Sequence, residues 1–129
     1  MENTSITRTV PITRRGDMGY EIRKEGNILI VKVYGEFDLH AADYARRDID
    51  SQIRAQGVKH LLFDLGSLTF IDSSGLGVIL GRYRKVSESG GRAAISGTPP
   101  NIKKVMEISG LNRLMPFFVD RASAMLELG

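Results

Sequence analysis

Along this chain the spacing of hydrophobic positions alternates between the two-residue period of strands and the 3.6-residue period of helices. Tyr20-Glu21-Ile22-Arg23-Lys24 alternates apolar with polar and reads as a short strand. Glu25-Gly26-Asn27 is turn chemistry, and Ile28 to Tyr34 is a β-branched run that predicts a buried strand, so the two should form a hairpin. From Asp38 the period lengthens. Ala41, Ala45, Ile49 and Ile53 make one apolar stripe, with Arg46, Arg47, Asp48, Asp50 and Arg54 free to face water. Asp38 is placed to cap this helix and Gly57 to end it. His60 to Leu65 predicts another strand, followed by a loop that reaches Asp72.

A second helix begins near Ser73, with Leu76, Ile79, Leu80, Tyr83 and Val86 at helical spacing and Gly90-Gly91 as its stop. Arg92 to Ser96 reads as a strand. Pro99-Pro100 opens a third helix carrying Ile102, Val105, Met106 and Leu111, with Gly110 as terminator. Leu114 to Val119 is a short strand whose Pro116 suggests an edge position, and Asp120 can cap a final helix through Leu128. The order β-β-α-β-α-β-α-β-α predicts an α/β domain: a mixed, mostly parallel sheet of about five strands with crossover helices. Residues 18–129 form this one domain. Residues 1–17 are rich in Thr and Arg without a clear period and read as a flexible N-terminal extension outside the fold.

The 129 residues suffice for one core without metal or disulfide staples, and the absence of cysteine excludes thiolate metal sites and cysteine nucleophiles. It also suits a reducing cytoplasm, the expected location. No apolar run approaches the roughly 20 residues needed to span a bilayer. Net charge is +3, and the basic stretch from Arg82 to Lys104 lacks the interleaved aromatics of a base-stacking surface. It reads as solvated helix faces, with neither nucleic acid nor membrane as a partner. The phosphate loop GxxxxGK[ST], the dinucleotide fingerprint and the GxSxG nucleophile elbow are all missing.

The candidate chemistry lies in Phe70-Ile71-Asp72-Ser73-Ser74-Gly75. A right-handed crossover makes the strands ending near Tyr34 and Leu65 parallel, so Asp38 and Asp72–Ser73 should meet on one rim of the sheet. Ser73 and Ser74 fall where a helix starts and can cap it, and a helix start is a good seat for a phosphate. Gly75, Gly77 and Gly81 each cost a helix about 1 kcal/mol relative to alanine. They imply close packing on the sheet or a partner, and at Gly75 an accessible Ser73. The residues alone leave two readings open, with ordinary caps and tight packing ahead of a phosphorylation switch that turns a neutral patch into a bulky anion. A Ser73–His40–Asp38 hydrolase and a nonspecific nucleic-acid binder are further alternatives, while His60 reads as structural.

The block from Leu68 to Lys85, with Asp72-Ser73-Ser74-Gly75 at its centre, resembles the signature of STAS domains, above all the anti-sigma factor antagonists of the sporulation sigma-F type. Gly35-Glu36-Phe37-Asp38 and Ile108-Ser109-Gly110-Leu111 resemble two shorter segments of that family. The likeness spans about Met18 to Leu128. It implies a STAS fold and a non-enzymatic role: the unphosphorylated protein binds an anti-sigma factor that is also a serine kinase and so frees the sigma factor. The kinase, holding ATP, then phosphorylates the antagonist, and a metal-dependent serine phosphatase restores it. By motif match the acceptor is Ser73. Asp38, Leu39, His40, Phe70, Ile71, Asp72, Ser74 and Gly75 form the expected partner-binding site, with no catalytic residue, metal or cofactor belonging to this chain. A STAS scaffold or sensor of another signalling complex is the alternative within the family.

Overall fold

The computed structural model describes residues 4–11 and 18–129. Its strands are β1 (Thr4–Val10), β2 (Met18–Glu25), β3 (Ile28–Phe37), β4 (His60–Ile71), β5 (Ala93–Ser96) and β6 (Phe117–Phe118). Among the described residues they form one six-stranded sheet in sequence order, antiparallel from β1 to β3 and parallel from β3 to β6. The helices are α1 (Leu39–Gln56), α2 (Ser73–Glu88), α3 (Pro100–Ser109) and α4 (Arg121–Leu128). Each right-handed crossover advances the chain by one strand in the same direction, which lands α1, α2 and α3 on one face. There they cover Leu29, Val31, Val33, Leu61, Phe63 and Ile95. On the other face α4 sets Ala124 and Leu128 over Ile28, Ile30, Leu62 and Ala94. Burial on both faces explains why β3 begins as an unbroken apolar run rather than an alternating one.

The expected caps stand at Asp38 and Asp120, and Gly57 and Gly110 end α1 and α3 in the left-handed conformation. His60 is structural as expected: its Nδ1 accepts the Arg92 N–H at 3.0 Å. The segment expected to be a flexible extension contains β1, a strand of the sheet, while residues 1–3 and 12–17 of it lie outside the described residues. Periodicity misses β1 because its attachment is long-range. It pairs with the outer edge of β2, and the Arg8 Nε donates to Asp48 Oδ2 at 2.9 Å. The buried Tyr20 hydroxyl donates to the same oxygen, and burial followed by the Asp48 carboxylate pushes its pKa far up, which keeps the proton in that bond. Asp48 is therefore engaged rather than turned freely to water. β4 also continues past Leu65, through the expected loop, to Ile71. The end of β3 needs backbone partners there, and Gly35 and Phe37 find them opposite Leu68 and Ile71.

Two charges expected in solvent are in the core. Asp50 of α1 and Arg82 of α2 are each 8% exposed, with Arg82 Nε 2.8 Å from Asp50 Oδ1. Burial lowers the Arg82 pKa, against the pull of Asp50. Lys85 Nζ adds a longer contact to the same oxygen at 4.0 Å. The pair locks the two helices side by side, and each ion depends on the other. Asp50→Ala should lower the unfolding free energy by about 3–5 kcal/mol, because it strands a buried guanidinium. The Asp50→Leu/Arg82→Met double variant should recover most of that loss in urea denaturation. Equal losses in the two variants would place the cost in packing rather than in the unpaired charge.

Candidate functional site

The site is built where β3 and β4 end together. Phe37 and Ile71 are register partners, both buried, and each is followed by an aspartate and then a helix. Asp38 Oδ1 accepts the N–H groups of His40 at 3.0 Å and Ala41 at 3.3 Å, capping α1. Asp72 Oδ1 accepts those of Ser74 at 2.9 Å and Gly75 at 3.1 Å, capping α2. Asp72 Oδ2 reaches across to α1 and accepts the Leu39 N–H at 3.2 Å. The Asp72 N–H itself bonds the Phe37 carbonyl at 3.3 Å. Two helix N-termini, each carrying partial positive charge, thus converge on one pair of carboxylates.

This arrangement brings Asp38 and Asp72–Ser73 together as the topology requires, but it reassigns several roles. The cap of α2 is Asp72, not a serine. Ser73 and Ser74 occupy its first turn, Ser73 exposed and Ser74 half-buried. Leu39, 68% exposed, and Phe70, 46% exposed, are apolar side chains left in water beside this corner, and His40 is exposed with them. Ile71 and Gly75 are buried and belong to the core rather than to a contact rim. A Cβ on Gly75 would lie 2.4 Å from the Phe37 carbonyl oxygen and 2.9 Å from Ile71 Cγ1. The glycine is there for that close approach, not to clear a path to Ser73. Gly77 and Gly81 meet nothing within 4 Å, so neither is packed on the sheet. Among the described residues the His40 ring makes no hydrogen bond to Ser73 or Asp38, the relay a serine nucleophile uses.

Phe37 is the functional neighbour that sequence reasoning missed: its carbonyl seats both the Asp72 N–H and Gly75. The only signal for it was a glycine in the first turn of a helix. No group of three or more His, Cys, Asp or Glu able to hold a metal occurs among the described residues. Nor is any helix there long and apolar enough to cross a membrane.

Residues 20–124 match the STAS domain family. The chain belongs to the STAS family. The anti-sigma F factor antagonist of Paenibacillus polymyxa is 37% identical over 108 residues, covering 84% of this chain and 92% of that protein. The structure is similar to that of the anti-sigma factor antagonist SpoIIAA in its unphosphorylated form, with TM-score 0.68 and 26% identity over 94% of this chain and 93% of that one. It is also similar to the Bacillus cell fate determinant SpoIIAA in the phosphorylated form, with TM-score 0.65 and 26% identity over 97% and 100%.

In this STAS domain two glycines of one helix should therefore respond oppositely to alanine. Gly75→Ala forces α2 off the end of β3 and should cost about 1–3 kcal/mol, as overpacking does. Gly77→Ala enters open space in a helix interior and should stabilise by about 0.5–1 kcal/mol. Thermal unfolding of the two variants checks this, and shifts of the same sign would remove the Phe37 contact as the reason for Gly75.

Proposed function

We propose that this STAS domain is an anti-sigma factor antagonist, a cytoplasmic regulator rather than an enzyme, switched by phosphorylation of Ser73. The observation that carries the reading is the setting of the Ser73 hydroxyl. Ser73 is exposed in the first turn of α2, at the corner that also carries the exposed Leu39 and Phe70, while the neighbouring carboxylate of Asp72 is held by three backbone N–H groups. Exposed Gly77 follows one turn on, so the helix surface running away from Ser73 is flat. A partner can approach such a surface closely. The relative named as an anti-sigma F factor antagonist, and the SpoIIAA forms with and without phosphate, support the same assignment.

In the proposed cycle the unmodified protein docks through this corner on an anti-sigma factor that is also a serine kinase. The Ser73 oxygen attacks the γ-phosphorus of ATP held by that partner. The new O–P bond forms as the bond to the leaving ADP oxygen breaks, and the hydroxyl proton passes to the kinase. The product carries about −1.5 to −2 charges where the hydroxyl was neutral. Asp38 and Asp72 lie beside it, so the anion faces acids as well as helix N–H groups. A metal-dependent serine phosphatase returns the hydroxyl by hydrolysis.

Incubation with the cognate anti-sigma kinase and ATP should add one phosphate, read by intact mass, and peptide mapping should find it on Ser73. Ser74→Ala should retain the modification and Ser73→Ala should lose it. Undiminished labelling of Ser73→Ala would sink the site assignment, and no complex with any anti-sigma factor of the source organism would sink the function.

A further inference from the structure

Asp72 does more than cap one helix. Its two oxygens hold two helices: Oδ1 takes Ser74 and Gly75 of α2, and Oδ2 takes Leu39 of α1, 33 residues away in sequence. The bond to Leu39 is the longest of the three, at 3.2 Å, and lies on the exposed side of the corner. Leu39 and His40 begin α1 and are both exposed. Behind them the helices are fixed by the buried Asp50–Arg82 pair and by the seating of Gly75 on Phe37. The Leu39 bond is thus an exposed tie between the two helices that can open without disturbing the core.

We infer that Asp72 is a positioning residue that relays the state of Ser73 to the start of α1. The inference rests on the reading of Ser73 as the phosphorylated residue. A phosphate there stands one residue from the carboxylate and is drawn to the same N-terminal N–H groups of α2. Repulsion between the two anions displaces the carboxylate, and the bond that yields is the exposed one to Leu39, because Oδ1 is held by two N–H groups of α2. Leu39, the first residue of α1, then loses the tie that holds it to the start of α2. Phosphorylation then disables the docking corner twice, by adding an anion and by freeing an apolar contact residue 33 positions away. Asp38 faces the same corner but stays on its own helix, bonded to His40 and Ala41.

Amide hydrogen exchange at Leu39, followed by NMR in the full chain, tests the relay. Phosphoserine is installed at position 73 during translation, so the result does not depend on any kinase. Exchange at Leu39 should speed up about tenfold relative to the unmodified protein, the scale set by losing one charge-assisted hydrogen bond. The core amides of β3 and β4 should not change. Asp72→Ser keeps a hydroxyl to cap α2 but is too short to reach α1. That variant should show the fast Leu39 exchange already without phosphate, and phosphoserine should add nothing further. Leu39 exchange that ignores phosphoserine would overturn the relay, as would an equal acceleration by phosphoserine in wild type and Asp72→Ser. Failure of the kinase to modify Ser73 would instead count against the proposed function and leave the exchange result standing.

Discussion

The corner that gives this domain its character depends on the parallel register of Phe37 against Ile71. Because both side chains are buried at the same level of the sheet, the next residue of each strand reaches the rim at the same height. Both are aspartates, and both turn the chain into a helix. One hydrophobic pairing therefore fixes the separation of two helix N-termini, and hydrogen bonds from backbone N–H groups complete the joint. A slip of the pairing by one residue would send Phe37 or Ile71 to the opposite face and separate the two caps.

What surrounds the joint makes it rigid. Gly75 lets the first turn of α2 sit directly on the Phe37 carbonyl, and the buried Asp50–Arg82 pair fixes the same helix to α1 farther along. Such an ion pair contributes little net stability, since desolvation offsets much of its attraction. Its value is geometric, because a sliding or rotating α2 would leave two buried ions unpaired. The first two turns of α2 are, by contrast, nearly bare: Ser73 and Gly77 are their exposed residues, one turn apart. Rigidity behind and bareness in front leave the core in place whatever happens at the exposed start of the two helices.

Much of the architecture was legible in the sequence because its signals are local. The caps at Asp38 and Asp120, the glycine stops at Gly57 and Gly110, and the apolar stripe of α1 each follow from neighbours within a few residues. The rest depends on partners distant along the chain. β1 has no period of its own and is held by the edge of β2 and by Asp48. The extension of β4 contains Gly66 and Ser67, which read as a break, yet the end of β3 recruits it. Asp50 and Arg82 look like solvent-facing charges on separate helices, and only their mutual approach makes burial tolerable. At the candidate site the motif Asp-Ser-Ser-Gly marked the corner where the two helix starts meet but not the division of labour within it. An aspartate and a serine both make good caps, and only the parallel pairing decides that Asp72, one residue past Ile71, takes the position.

That division bears directly on how a switch can work here. Had Ser73 been the cap, its oxygen would have been bonded to N–H groups of α2, and esterifying it would have removed the cap. With Asp72 in that role, the serine oxygen has no structural duty and can be modified without unfolding the helix. The similarity to SpoIIAA with and without phosphate, at TM-scores of 0.65 and 0.68, fits an architecture that carries either state. The same arrangement ties the Asp72 carboxylate, next to Ser73 in sequence, to the start of α1, where the charge of the proposed phosphate would act on it first. In the proposed switch, a cap that relieves the serine of structural work is thus also the group through which a phosphate on Ser73 would be felt by the neighbouring helix.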